Sequence, residues 1–454
     1  MARHDSTYIS RAPAHIPAAL YRWYVAQRAI LKNASAMVGS TGLTSVIGAM
    51  YWLVAAHMFS AKEVGLSAAA ISAMTLTSTF SVLGFGTLLI GELPHHRESS
   101  GAMITTALLV SGSVGAAIGI AITLGIPLFA PDLGILRQSF GTVSIFALGA
   151  GFASLGLVLD NAVIGLLRGE LQLVRNVVLA ISKLLFLILA GIWLLNPPTL
   201  IIFATWVFGM IVSVGVLAWY GRASLQAGGS YKPQWRILRA HWGGALKHHA
   251  LNIMLQGASL ILPLLVTALL GAELNASFYI AWMIANLVAV GPRALTVVLY
   301  AVGAADPGAL AHKVRFTLRF SFLLAALPIL VILASAQLVL MVFGGAYAHQ
   351  ATMGLRLLSL GVFPLIIRDH YVTLRRLHGR ILSTAYYIGA GCALEFAAAY
   401  VGGRVGGLTG LCAGWLFAVC VEAVCMIPVV ARGALARPDE SLTKPPQFDT
   451  AHGV

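Results

Sequence analysis

Nine side chains in this chain have the type and the depth to do chemistry in an otherwise apolar setting. Five are cations inside apolar stretches: Lys183, Arg293, Arg319, Arg356 and Arg368. Four are carboxylates at similar depth: Asp160, Asp369, Glu395 and Glu422. With 59% hydrophobic and 10% charged residues, each is an exception to its surroundings. A charge at the centre of a bilayer costs ~2.5–3.5 kcal/mol even on insertion-based scales. Such a group either reaches an interface or faces a wet cavity. Lys183 lies near mid-span, and Arg293 and Arg368 lie ~15 Å from the nearer span end at helical rise. These three are expected to face a lumen and hold an anionic headgroup, against the alternative of an ion pair inside one bundle. Arg319 and Arg356 lie one to two turns from an interface, where they either join that anion site or snorkel. Arg175, at the mouth of its span, is expected to be interfacial. The guanidinium fork matches phosphate oxygens bidentately, which suits a phosphorylated substrate. The four carboxylates are candidates for H⁺ or Na⁺ coupling, or plain structural partners of the cations. His370, beside Asp369, is a weak candidate for a proton relay.

The elements that must position these groups are membrane spans. The chain has 454 residues, a formal net charge of +14 and a mean hydropathy of +0.88, values of a polytopic membrane protein. A helical span needs roughly 20 apolar residues, and twelve such stretches are read at about 34–57, 65–91, 101–127, 139–166, 171–195, 198–219, 248–271, 275–302, 314–342, 350–377, 380–402 and 405–431. The fold expected is all-α, with about twelve transmembrane helices in two six-helix bundles. Residues 1–33 are expected to be a basic tail with an amphipathic helix, and no signal peptide is expected there. Bundles over 34–219 and 248–431 flank an amphipathic linker at 220–247, and 432–454 form a second tail. In the linker, Trp235, Leu238, Trp242 and Leu246 share one helical face, which predicts a helix lying on the interface.

Cations set the orientation. The tails, the 220–247 loop and the loops after spans eight and ten carry most of the Lys and Arg, while the opposite loops hold only Lys62, Arg137 and Arg404. The positive-inside rule then places both termini in the cytoplasm and the protein in the inner, cytoplasmic membrane. The positive charge is expected to meet anionic membrane lipids, not nucleic acid. The hairpins Phe59–Gly65 and Leu270–Ala276 look alike, as a parallel repeat of two halves would make them. Pro263, Pro292, Pro328 and Pro364 interrupt four consecutive spans of the second half, either as ordinary transmembrane prolines or as points where this half bends, with Gly291-Pro292-Arg293 the best case for a helix break beside a buried cation.

Several chemistries lack their residues. Cys392, Cys412, Cys420 and Cys425 fall in the last two spans without C-x-x-C spacing and read as packing residues. His95-His96 and His248-His249 lack carboxylates at ligand spacing, so no metal is expected. Neither G-x-x-x-x-G-K nor H-E-x-x-H occurs. No soluble domain or long outer loop is present to house a glycan-modifying active site. No catalytic residue and no cofactor are expected, and the chain reads as a transporter, not an enzyme. Asn275-Ala276-Ser277 matches a glycosylation sequon.

Phe59-Ser60 through Val64-Gly65, Ala68 to Ser78, Leu83-Gly84-Phe85-Gly86 and Leu93-Pro94 resemble the opening of polysaccharide-exporter proteins. These are the Wzx-like flippases of the multidrug/oligosaccharidyl-lipid/polysaccharide (MOP) superfamily. Leu159-Asp160-Asn161, Gly165-Leu166-Leu167-Arg168 and Arg175-Asn176 also resemble that group. The resemblance implies two six-helix bundles and alternating access. It also implies a substrate of the undecaprenyl-pyrophosphate-linked oligosaccharide type, for cell-surface polysaccharide synthesis, with a glycan polymerase and glycosyltransferases as partners. Relatives often carry a basic residue where this chain has Gly91. A multidrug or metabolite antiporter of the same superfamily is the alternative, and a membrane-embedded glycan enzyme a more distant one.

Overall fold

Serines placed just before apolar runs start two of the long helices. Ser60 caps the second helix, its Oγ accepting from Glu63 N (3.3 Å) while Ser60 N donates to Glu63 Oε2 (2.9 Å). Ser139 and Thr142 form the same reciprocal box further on. Inside the helices, hydroxyls donate to the carbonyl one turn earlier, as Thr77 to Ala73 (2.7 Å), Thr106 to Ala102 (2.6 Å) and Ser359 to Leu355 (2.7 Å). Each such bond removes an unmet donor from an apolar environment.

The computed structural model describes residues 42–435, apart from 95, 97–98, 167, 195–197, 225–231, 234 and 306. The tail expected over 1–33 and most of the one expected over 432–454 lie outside the described residues. The helices are α1 (Gly42–Met58), α2 (Ala61–Ser81), α3 (Phe85–Glu92), α4 (Ser100–Gly125), α5 (Phe140–Gly165), α6 (Gly169–Trp193) and α7 (Ile201–Ser224) in the first half. The second half holds α8 (Trp235–Leu270), α9 (Ala272–Ala305), α10 (Leu310–Met341), α11 (Gly345–Leu360), α12 (Val362–Leu377) and α13 (Ile381–Leu435). All regular structure among the described residues is helical. Helices α2 with α3, and α11 with α12, each make one crossing. Helix α13 makes two, turning back at Gly406-Gly407. Among the described residues this gives twelve helical passes, six in each half, in line with the hydropathy pattern.

The α13 hairpin brings small residues into backbone contact. Gly402 faces Gly410, and Ala398 faces Gly414, so closely that a Cβ on either Gly410 or Gly414 would collide with the opposite carbonyl. Small residues let membrane helices approach this closely. The antiparallel arms thereby put Glu395 beside Trp415 and Gly391 beside Glu422.

Three expectations about helix breaks are corrected. The segment 220–247 is not a separate interfacial helix over its described part: Trp235 to Leu270 is one continuous helix, so the linker's amphipathic residues extend span seven. The break expected at Gly291-Pro292-Arg293 is absent, and α9 runs unbroken over 34 residues. One missing ladder bond is tolerated in a long helix packed among others. Pro263 likewise lies inside a continuous helix, and the non-helical residue of α10 is Ser335, well past Pro328. Only Pro364 accompanies an interruption, the step from α11 to α12 at Gly361. The first half carries a break of its own without proline. Leu83 (φ 50°) and Gly84 (φ 84°) both adopt left-handed backbone and separate α2 from α3. A Cβ on Gly84 would lie 2.9 Å from the Ala245 carbonyl of α8, so this break is where the halves touch.

The halves meet through α2 and α3 on one side and α8 and α9 on the other. Helix α2 is the most buried of the described spans, which fits its Ala- and Ser-rich sequence. The two look-alike hairpins are in contact. Asn275 Nδ2 donates to Gly65 O (2.8 Å), and Gly65 packs on the Ala272 carbonyl with no room for a side chain. Asp132 Oδ2, from the connection between α4 and α5, accepts from Ala272 N (3.0 Å) and so caps the start of α9 from the other half. Asn275 is fully buried, which rules out the sequon as a glycosylation site.

Candidate functional site

Helix α6 buries one stripe: Leu171, Arg175, Ala180, Lys183 and Leu187. Two cations lie on it and meet different partners. Arg175 is buried, not interfacial as expected, and forms a two-pronged ion pair with Asp160 of α5. Its Nε lies 2.6 Å from Oδ1 and its Nη2 contacts Oδ2. Nη2 also donates to Asn176 Oδ1 (2.8 Å). Asp160 is therefore occupied by a cation of its own bundle. Lys183 has no carboxylate partner among the described residues. Its ammonium sits over the Trp206 ring, 3.4 Å from the centroid, with the Tyr51 ring at 5.1 Å. Trp52 packs against both rings and continues the cluster to Tyr279 of α9, 4.6 Å away. Tyr51 is held by its hydroxyl, which donates to Ile202 O at 2.7 Å. Ring faces attract a desolvated cation by ~2 kcal/mol or more.

The second half assembles the other deep charges. Helix α12 carries Arg368 and Asp369, and the two arms of α13 carry Glu395 and Glu422. Arg368 Nη1 donates to Glu395 Oε1 (2.8 Å) and lies 3.6 Å from Glu422 Oε2. Trp415 Nε1 donates to the other Glu395 oxygen (2.6 Å). Arg293 of α9 lies 4.0 Å from Asp369 Oδ2 and donates to Asn286 Oδ1 (3.2 Å). It is the exposed member of the group, with 45% of its side chain accessible although it lies within a span. Arg376, two turns on, donates to Asn252 of α8 (2.9 Å). His370 spends both ring nitrogens on Ile366 O (2.8 Å) and Thr317 Oγ1 (3.2 Å), so its hydrogen bonds lead to α10 and not to Asp369.

The expected five-cation set is thus dispersed. Arg293 and Arg368 share a region with Asp369, Glu395 and Glu422. Lys183 occupies an aromatic pocket of the first half. Arg319 is exposed on the same face of α10 as Leu323, Leu327 and Leu330, the face this helix turns outward. That position is the snorkelling one. Arg356 is half-buried in α11 with its Nε unpartnered. Among the described residues no His, Cys, Asp and Glu cluster could hold a metal. The aromatic pocket and Trp415 were not anticipated. Tyr51, Trp206 and Lys183 come from three helices, and Trp415 reaches Glu395 only across the α13 hairpin, so no local spacing announces either.

The chain matches the family model described as polysaccharide biosynthesis protein over residues 30–304, more than half its length. The chain belongs to this family. No curated protein sequence matches it. Solved structures share its fold at low identity. An inward-facing multidrug-resistance transporter of the MATE family in the MOP superfamily is 13% identical, covers 86% of this chain and 93% of its own, and superposes with a TM-score of 0.69. A MOP superfamily transporter from Pyrococcus furiosus, described by a binding pocket of reverse polarity that suggests a different function, is 12% identical, covers 90% and 97%, and gives 0.64. An outward-facing MATE transporter of the MOP superfamily, 12% identical over 90% and 96%, gives 0.60. This polysaccharide-biosynthesis protein is a multi-pass membrane protein with the MOP transporter fold.

Proposed function

We propose that this family member is a flippase that moves a lipid-linked oligosaccharide, of the undecaprenyl-pyrophosphate type, across the cytoplasmic membrane by alternating access. Both termini then lie in the cytoplasm. The observation that carries the reading is Arg293. It is a cation inside a membrane span, exposed, and held only loosely by Asp369 at 4.0 Å. A charged group there must face water, not lipid. Its guanidinium keeps donors for a phosphate or an acidic sugar. The lipid tail would stay in the bilayer while headgroup and glycan pass between the halves.

The contacts between halves suit such a cycle. Asn275–Gly65 joins the two hairpins and Asp132–Ala272 ties the connection between α4 and α5 to the second of them, at the outer end if the cation bias sets the orientation. Gly84–Ala245 and His249 Nε2 with Phe80 O (3.3 Å) join the opposite end. Each is a small, separable set of hydrogen bonds and packing contacts. At that opposite end Arg315 Nη1 donates to Ala434 O (2.5 Å) at the close of α13, and Arg375 bonds Ser383 and Thr384. This basic end suits anionic lipid headgroups of the cytoplasmic leaflet. A glycan polymerase and glycosyltransferases would supply and consume the cargo.

The test is Arg293→Ala in cells whose surface glycan depends on this gene. Lipid-linked oligosaccharide should accumulate on the inner leaflet while the protein stays in the membrane at normal abundance. Normal surface glycan would overturn the reading. Resistance to cationic compounds on overexpression, with glycan unaffected, would point to an antiporter instead.

A further inference from the structure

The carboxylate excess around Arg368 is not explained by anion binding. One nitrogen, Nη1, serves both Glu395 Oε1 (2.8 Å) and Glu422 Oε2 (3.6 Å). With both glutamates ionised, the three side chains carry one net negative charge inside the bundle. An uncompensated charge is costly to hold there. The glutamates are not equivalent. Glu395 accepts from Arg368 at one oxygen and from Trp415 Nε1 at the other, so both its oxygens have a donor. Glu422 is 6% exposed, and neither of its oxygens has a hydrogen bond. As an anion it lacks a donor, whereas as an acid it brings its own O–H. Gly391 leaves room for this carboxyl: a Cβ there would lie 2.5 Å from Glu422 Cδ.

Among the described residues no second cation pairs with Glu422. Helix α12 presents Arg368 and, behind it, Asp369, which is 4.0 Å from Arg293 of α9. The first arm of α13 presents Glu395 and the Cys392 thiol. Helix α8 carries no charged residue between 250 and 270. The charged residues of α10, His312, Lys313, Arg315 and Arg319, all lie in its first ten positions. Helix α11 holds His349 and Arg356, and no ion pair joins either to a glutamate among the described residues.

We propose that Glu422 holds a proton against Glu395, and that Arg368, Glu395 and Glu422 together form a proton-binding site. Arg368 already supplies the positive charge that a sodium ion would bring, and it repels one. On release the Glu422 O–H bond breaks and the proton leaves for water. A second carboxylate remains, and the triad becomes net negative. Asp369 and Arg293, with 23% and 45% of their side chains exposed, lead from Arg368 toward the accessible side. Proton binding stands on this geometry alone, while its use in driving a glycan across rests on the function proposed above.

Infrared spectroscopy of the full-length protein in lipid at neutral pH tests the site without substrate. The expected spectrum contains a protonated-carboxyl C=O band that shifts in D₂O. Glu422→Gln should remove it. Arg368→Gln should roughly double it, because Glu395, left without its cation, takes up a proton beside the one already on Glu422. A band that survives Glu422→Gln, or does not grow in Arg368→Gln, overturns the proposal. So does a band that sodium chloride removes and choline chloride does not. If a variant fails to fold, the wild-type spectrum still decides, since absence of any such band overturns the proposal by itself. These outcomes are independent of glycan export in Arg293→Ala, so either idea can fail without the other.

Discussion

Helices α6 and α12 each carry two deep charges, and the two halves of the molecule treat them differently. On α6, Arg175 is closed in a two-pronged pair with Asp160, and Lys183 is pressed on the Trp206 ring. On α12, Arg368 is divided between two glutamates, and Asp369 shares a loose contact with exposed Arg293. Charges on α6 are satisfied within their bundle and have one arrangement open to them. Those around α12 can be rearranged by one proton or by one anion. The proposed flippase cycle would use the second kind of site on a scaffold built from the first. The contrast separates cations that hold a bundle together from cations available to work.

The contrast can be broken most directly at Asp160. Asp160→Ala leaves Arg175 buried without its partner and should lower stability by ~3–5 kcal/mol, read as a lost or strongly lowered thermal transition of the purified protein. A loss under ~1 kcal/mol would show that the pair on α6 is as dispensable as a surface one. Arg293→Ala should leave stability nearly unchanged yet reduce glycan export at least tenfold. That corresponds to losing a charge-assisted contact of ~1.5–3 kcal/mol, measured as lipid-linked oligosaccharide retained inside. Unfolding in place of a transport defect would move Arg293 into the structural class.

A smaller effect is expected where the halves meet. Asn275→Ala removes the bond to Gly65 O and should weaken closure of that end by about 1 kcal/mol. In a background freed of native cysteines, labelling of Ala276→Cys by an impermeant maleimide should rise about fivefold. Unchanged labelling would mean the hairpin contact does not move. The smallest effect is expected at Lys183. Lys183→Met loses the cation–ring attraction but also the cost of a buried charge, so stability should stay within about 1 kcal/mol and export within about twofold. Export lost at normal abundance would return Lys183 to the substrate-binding groups and erase the contrast.

Much of the architecture is legible in residue order. The apolar stretches and the resemblance between Phe59–Gly65 and Leu270–Ala276 reappear as elements or contacts. Leu83-Gly84-Phe85-Gly86, noted only as a resemblance, is the break between α2 and α3 and the seat of Ala245. Proline was a poor guide, because a long helix packed among others absorbs one missing hydrogen bond, as α9 does at Pro292. Depth along a span was also an incomplete guide to role. Lys183, Arg293 and Arg368 are all deep, yet one meets rings, one meets two glutamates and one is exposed.

Composition and hydropathy determined that the chain is an all-α multi-pass membrane protein, and which side chains are costly to place in its spans. Both follow from the energy of moving single residues out of water, which is local and additive. Partner choice was decided by the tertiary structure. Asp160 could pair with any cation until α5 and α6 packed together, and Glu395 gained Trp415 only because Gly406-Gly407 turns the chain back. Sequence spacing cannot encode these meetings, because a charge pair forms across helices whose separation in the chain says nothing of their separation in space.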